Sequence, residues 1–329
     1  MRRRTFLTLA AAAALTLSSP MLSTGAFAED KAKTVALDWA TYNPLSIVLK
    51  EKGILEADLA KDGIQVRWVQ TLGSNKAIEF LNARGIDFGS TAGSAALLAK
   101  INGSPINSVY IYSKPEWTAL VTRADTGITS IEQLKGKRVA VTRGTDPHIF
   151  LVRALASKGL TEKDLKIVLL QHPDGRVALD KGDVDAWAGL DPIMAQAEVE
   201  RGAKLFYRNA DANTYGVLNV RTAFAEANPD LVVRVLQAYE KARAWAKENP
   251  DGLKALLMRD AKITDEVARL QLTRNDFAEA QIGPKPVAAI TEAGDALKAA
   301  AFIPANTDVA AAVKALVDPS FAQRLVAQK

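Results

Sequence analysis

The chain has 329 residues, 48% hydrophobic and 24% charged, with a formal net charge of +5 and no cysteine. Those proportions suit a folded chain with one large core or two medium ones and exclude a disordered or fibrous polymer. Without cysteine there are no disulfides, thiolate metal sites, iron–sulfur clusters or cysteine nucleophile.

Residues 1–28 read as an export signal. Arg2, Arg3 and Arg4 form a positive start, and the apolar run from Phe6 to Leu17 is shorter than the about 20 residues that span a bilayer. Ala26-Phe27-Ala28 is a small-x-small cleavage site. Arg3-Arg4-Thr5-Phe6-Leu7 also resembles a twin-arginine signal, so the Sec and twin-arginine routes both stay open. Cleavage removes three arginines and no acid, leaving 39 basic against 37 acidic residues and a net charge of +2. The expectation is a soluble exported protein without a cysteine-linked lipid and without a basic stripe for nucleic acid.

The remainder alternates strands and helices in the manner of α/β domains. Thr34–Trp39 reads as a strand, then a loop through Pro44 and a helix from Leu45, with Pro44 suited to a first helical turn. Ile64–Gln70 alternates as a second strand, followed by Thr71-Leu72-Gly73-Ser74-Asn75 and a helix over Lys76–Arg84. Gly85 closes that helix, Ile86–Gly89 is a short strand, and Ser90-Thr91-Ala92-Gly93-Ser94 opens a helix over Ala95–Lys100. The pattern recurs in the strand Lys137–Val141, the loop Thr142–Asp146, the helix Pro147–Lys158, the strand Leu165–Leu170 and the helix Arg176–Lys181. Gly182, the strand Val184–Ala188 and a helix beginning at Leu190-Asp191-Pro192 complete it. The recurrence suggests two similar lobes, although any two α/β units share such punctuation. Val109–Arg123 and Asn213–Val220 are extended stretches that can cross between lobes. Beyond Arg221 the pattern is helical over 229–248, 252–259, 265–280, 287–300 and 309–325, segments expected to pack back on the first lobe.

The usual signatures of catalysis are missing. His148 and His172 stand in no metal-ligand spacing, and there is no nucleophile elbow, P-loop or dinucleotide fingerprint. The cluster Asp180, Asp183 and Asp185 reads as a solvated turn. What stands out is a set of small-residue loops at strand ends that open helices: Thr71–Ser74, Ser90–Ser94 and Gly144–Asp146. A helix N-terminus offers free N–H groups and partial positive charge to an oxyanion, glycine permits close approach, and Ser or Thr adds a hydroxyl donor. Plain helix capping explains any one loop equally well. Several together at strand C-terminal ends point to a ligand crevice.

In this order and spacing, Gly85–Gly89, Ser130–Ala140, Gly144-Thr145-Asp146-Pro147-His148, and Lys181–Trp187 followed by Asp191-Pro192 resemble the periplasmic substrate-binding proteins of nitrate, sulfonate and taurine ABC importers. The aliphatic-sulfonate binders are the nearest group. The resemblance implies a two-lobed, type II periplasmic-binding-protein fold with two α/β lobes joined by two hinge strands. Residues 29–121 and 216–329 would make the first lobe and 122–215 the second. It implies a monomeric binder, not an enzyme, that needs no metal or cofactor, captures a small organic anion and delivers it to an inner-membrane ABC permease.

Carried over by position, Tyr42, Asn43, Gly73, Ser74, Thr91, Gly93 and Ser94 would line the first wall, and Gly144, Thr145, His148, Trp187 and Asp191 the second. Trp117, at the first crossing, is a candidate cover for an apolar tail. Two departures from the family pattern leave the ligand open among aliphatic sulfonates, nitrate, taurine, aromatic sulfonates and thiamine precursors. Thr91-Ala92-Gly93-Ser94-Ala95 replaces a loop that carries an acid and a proline, and Gly189-Leu190 replaces an aromatic before Asp191-Pro192. An enzyme of the thiamine-pyrimidine synthase type is the other-class alternative, disfavoured by the absent cysteines and the export signal.

Overall fold

The computed structural model describes residues 32–327; the export signal lies outside the described residues. Two separate sheets organise the chain. The first takes β1 (Thr34–Trp39), β2 (Gln65–Gln70), β3 (Phe88–Ala92) and β4 (Ile106–Pro115). The second takes β5 (Leu120–Thr122), β6 (Arg138–Val141), β7 (Lys166–Leu169), β8 (Ala186–Ala188) and β9 (Lys204–Tyr207). The chain then returns to the first sheet with β10 (Gly216–Arg221) and the two-residue β11 (Asn275–Asp276).

The sheets share one plan. Strand order is β2-β1-β3-β10-β4-β11 in the first and β7-β6-β8-β5-β9 in the second. Each has three parallel strands, then a strand of a crossing that runs antiparallel to them, then a strand that pairs antiparallel with it and so runs with the first three. The recurrence seen in the sequence is therefore a repeat of topology. Because the parallel strands point the same way, the loops after β1, β2 and β3 collect at one end of their sheet, facing those after β6, β7 and β8. In open α/β sheets that end is where ligands bind.

Burial explains the strand types. The central strands β3 and β10 are buried along their whole length, as expected of strands covered on both faces, whereas the edge strand β2 alternates between exposed and half-buried positions. Gly216 opens β10 because a Cβ there would stand 2.3 Å from the Tyr112 ring. The long helix Pro229–Glu248 presents Val232, Val233, Leu236 and Tyr239 to the first core in the i, i+4, i+7 pattern of an amphipathic helix. Below it, Asp87 accepts from the Ala36 N–H at 2.8 Å and from the Arg221 guanidinium at 2.6 Å, a buried ion pair tying β1, β3 and β10.

Several sequence expectations change. The helix expected over 265–280 ends at Thr273, because Asn275–Asp276 pairs with Lys114–Pro115 of β4. The helix expected over 309–325 is two, Val309–Leu316 and Ser320–Ala327, with Asp318 and Pro319 between them. Strand β9 and the short helix Ile54–Leu59 have no counterpart in the expected elements. The C-terminal helices pack on the first sheet's helices, but Pro284–Ala299 also meets Asp146–Ala156, and Asp265–Thr273 meets Ile193–Arg201. They clamp the second sheet as well.

Replacing Arg221 with Met leaves the Asp87 carboxylate buried without its counter-charge, and removing one partner of such a pair costs about 3–5 kcal/mol. Urea unfolding of Arg221→Met is expected to show a loss of that order; a change under about 1 kcal/mol would mean that the pair contributes no more than a surface one.

Candidate functional site

Three polar clusters lie where the loops meet. The first belongs to the first lobe alone. Asp38, near the end of β1, accepts from the Ser90 N–H at 2.8 Å, the Ser90 hydroxyl at 2.9 Å and the Thr71 hydroxyl at 2.7 Å. Tyr42 donates to the Ser90 carbonyl and lies 3.0 Å from Thr71 Oγ1, and the Asn43 amide donates to Ser90 Oγ at 2.8 Å. One carboxylate thus ties β1 to β3 and to the start of the loop after β2, and Tyr42 and Asn43 of the loop after β1 join the same network through Ser90 and Thr71. Burial pushes the Asp38 pKa up to about 6 against the lowering effect of its hydrogen bonds.

The second cluster crosses between the lobes. Asp146, in the first turn of helix Asp146–Ala156, accepts from the Ser94 hydroxyl of the first lobe. It also accepts from Trp117 Nε1 at 2.8 Å, Thr214 Oγ1 at 2.8 Å and the Thr214 N–H at 3.3 Å. Trp117 and Thr214 stand on the two crossings, so one side chain joins both lobes and both connections. Burial raises the Asp146 pKa against four hydrogen bonds that lower it. The crossings are stitched directly as well: the Thr118 N–H donates to Asn213 Oδ1 at 2.9 Å.

The third cluster is different in kind. Helix Ser74–Asn82 begins at Gly73 and helix His172–Lys181 begins after Gln171, and neither start has a side-chain cap. They approach each other across the cleft. Asn75 Nδ2 donates to Gln171 Oε1 at 3.4 Å, and the His172 ring lies 3.2 Å from where a Cβ on Gly73 would stand. His172 is fully buried, yet both ring nitrogens lack a partner, as does Asn75 Oδ1. Burial pushes its pKa down to about 3, so the ring is neutral, with one N–H to donate and one nitrogen to accept.

The residues expected from the sequence fall into place unevenly. Ser74 Oγ accepts from the Ala92 N–H at 3.0 Å, tying a helix start to the end of β3, and Thr91 Oγ1 accepts from Asn219 at 2.8 Å, tying β3 to β10. Gly93 faces the first lobe's own helices, with Ile290 Cγ1 2.6 Å from a built Cβ. Thr145 donates to the Thr142 carbonyl. The Gly144 N–H donates to His148 Nδ1 at 3.2 Å, so Nε2 carries the hydrogen towards Glu162 Oε1 at 2.9 Å. Both His148 nitrogens are thereby used inside the second lobe, with the ring edge-on to Phe302. Trp187 is buried in the second lobe's core against Gly175. Asp191 accepts from the Ala195 N–H at 2.9 Å and from Arg274 of the first lobe at 3.3 Å, an interlobe ion pair. Trp117, the candidate cover for a tail, is buried edge-on to Tyr42, its N–H committed to Asp146. Across the cleft Asp146 places a carboxyl group against Ser94 of the 91–95 loop.

Outside these clusters the cleft opens into a cavity of about 670 Å³ between Trp39, Thr41, Gln70 and Leu72 on one side and Pro173, Arg176, Val177, Pro192 and Ile193 on the other. Leu72 and Val177 are two of the three large hydrophobic side chains that stay exposed among the described residues, at 47% and 48%. Nothing in sequence spacing marks Asp38, Thr214, His172 or Arg274. The strand-end rule that selected the three small-residue loops, applied to β7, would have reached His172.

Two lobes of one strand order, two stitched crossings and a polar crevice between parallel-strand ends define the periplasmic-binding-protein fold. The chain belongs to the family described as NMT1/THI5 like, whose sequence profile matches residues 59–253. A Bacillus subtilis protein provisionally named for binding aliphatic sulfonates is 29% identical over 214 residues, 64% of this chain and 64% of its own length. An Escherichia coli protein of the same provisional name is 29% identical over 195 residues, 59% of this chain. The chain thus spans 64% and 61% of the lengths of these two relatives. The alkanesulfonate-binding protein of Xanthomonas axonopodis pv. citri bound to MOPS superposes with a TM-score of 0.78 at 23% identity, covering 88% of this chain and 99% of that one. Among the described residues no helix is long and apolar enough to cross a membrane.

Two consequences are measurable. The Asp38 carboxyl has a folded pKa of about 6 against an ordinary 3.8, so the folded state holds its proton more tightly. Its contribution to stability is complete below the ordinary value and is lost as pH rises through about 6. Relative to Asp38→Asn, the wild type is expected to lose about 3 kcal/mol of urea-measured stability from acid to neutral pH; an unchanged difference means that the carboxyl is not desolvated. Replacing Asp146 with Ala leaves Ser94, Trp117 and Thr214 without their acceptor, a penalty of about 1–3 kcal/mol on the closed arrangement. Small-angle scattering should then show a larger radius of gyration than wild type without ligand, and equal radii would show that Asp146 does not hold the lobes together.

Proposed function

We propose that the protein is the solute-binding component of an ABC importer and that it captures a small organic oxyanion, an aliphatic sulfonate in the first instance, between two closing lobes. The observation that carries the reading is the pair of uncapped helix starts, at Ser74 and His172, that face each other across the cleft with buried, unpartnered polar atoms between them. Helix N-termini stabilise an anion through N–H groups and partial positive charge, without requiring a lysine or arginine. The sulfonate names of the relatives and of the superposable structure agree with that chemistry.

On this reading the lobes rotate about the crossings near Thr118 and Asn213, and the closed form is the one the ligand selects. After removal of the export signal the protein would work in the periplasm as a monomer, handing its ligand to a membrane permease. The absence of cysteine and the full use of both His148 nitrogens by protein partners support a binder over an enzyme.

Isothermal calorimetry against methane-, propane- and hexanesulfonate and taurine, with nitrate and sulfate alongside, tests this. The expected result is micromolar or tighter binding, about −8 kcal/mol or better, of at least one organic sulfonate and weaker binding of the inorganic anions. No binding by any sulfonate would overturn the assignment, and a preference for nitrate would move it to the inorganic branch.

A further inference from the structure

The cleft holds two facing pairs of helix starts, and they differ in how they are satisfied. At one, helices Gly93–Ile101 and Asp146–Ala156 meet around the Asp146 carboxylate, which already takes four hydrogen bonds. That position is already filled by a side-chain carboxyl group. At the other, helices Ser74–Asn82 and His172–Lys181 meet with no side chain capping either, and His172 is buried with both nitrogens idle. Lys76 and Ala77 direct their N–H groups to the Gly73 carbonyl, which leaves the N–H groups of Ser74 and Asn75 without a carbonyl of their own helix.

We infer that His172 is a ligand-binding residue, donating its imidazole N–H to the anionic head of the ligand at the facing starts of helices Ser74–Asn82 and His172–Lys181, with the ligand's aliphatic tail lying in the adjoining cavity. The inference rests on the oxyanion reading above and deepens it. A neutral imidazole suits this role because it gives a directed hydrogen bond and costs no buried charge. Bare Gly73 lets the Asn75 and His172 side chains lie directly against the helix start, since a Cβ there would stand 2.9 Å from Asn75 Oδ1 and 3.2 Å from the His172 ring.

The direction of the tail follows from what adjoins the head. Leu72 precedes Gly73 and Pro173 follows His172, and both line the 670 Å³ cavity with Trp39, Val177, Pro192 and Ile193. The exposed side chains of Leu72 and Val177 would be covered by an alkyl chain of several carbons. The ligand is therefore an amphiphile with a compact oxyanion head, and the cavity sets a preference for tail length.

The chain has two histidines, so imidazole ¹⁵N labelling gives one reporter at the cleft and one, His148, outside it. Titration of the labelled wild type with hexanesulfonate is expected to shift the His172 nitrogens much further than those of His148. Calorimetry should show affinity rising about fourfold per methylene from methane- to hexanesulfonate, a drop of at least tenfold for every member in His172→Gln, and a flattened chain-length dependence in the double variant Leu72→Ser, Val177→Ser. Wild type that binds no sulfonate refutes the oxyanion reading itself. Wild type that binds sulfonates while the His172 nitrogens stay unmoved and His172→Gln binds equally well refutes this inference alone. An unchanged chain-length slope in the double variant refutes the placement of the tail.

Discussion

The structure turns on one buried carboxylate. Asp146 reaches from the second lobe to Ser94 of the first and takes hydrogen bonds from Trp117 and Thr214, one on each crossing. Hydrogen bonds to a charged group contribute about 1.5–3 kcal/mol each, but desolvating the carboxylate costs several kcal/mol. The balance is small and the geometry is specific, so the contact sets how the lobes meet without a large net energy. On the proposed reading a closing cleft needs that combination: if the lobes held each other firmly, ligand could not enter, and if they had no preferred register, ligand binding would have to supply the order.

The ion pair between Asp191 and Arg274 acts at another point of the same interface. Burial pushes the Asp191 pKa up to about 6, against the nearby Arg274 guanidinium that lowers it. Arg274 also reaches Glu198, so one cation from the first lobe is shared by two acids of the second. The segment that places it is the short pairing of Asn275–Asp276 with β4, which ends the preceding helix early. The irregularity in the C-terminal helical region is thus where that region takes part in the cleft.

Much of this was legible in sequence, for identifiable reasons. Strand β1 and the helix Pro229–Glu248 have the expected bounds, because burial on both faces of one and the amphipathic period of the other leave little choice. The loops Thr71–Ser74 and Gly144–Asp146 do open helices, whereas Ser90–Ala92 of the third belong to β3, which runs three residues past the expected Gly89, and only Gly93 and Ser94 open the helix. Contacts between distant segments could not be seen: Asp146 and Ser94 are 52 residues apart, and nothing local shows that their side chains meet. Locally, His148 and His172 look alike. One has both nitrogens satisfied and the other neither, a distinction that exists only in the folded chain. The sequence pattern also started the second helix at Arg176, reading His172 and Pro173 as loop, whereas proline is tolerated in the first turn and the helix begins at His172. Four residues of boundary error hid the side chain with the strongest claim on a ligand.

Net charge is a poor guide to what such a cleft attracts. The +5 of the whole chain falls to +2 without residues 1–28. The cations near the facing helix starts, Lys76 and Arg176, are already paired, with Glu79 and with Glu200. Partial charges of backbone N–H groups act there over short distances in a water-poor space, where each counts for more than an exposed ammonium does. On the proposed reading, an anion that reaches both helix starts would gain from both lobes at once, so binding and closure would be coupled. An anion too small to bridge them would gain from one lobe only and leave the cleft open.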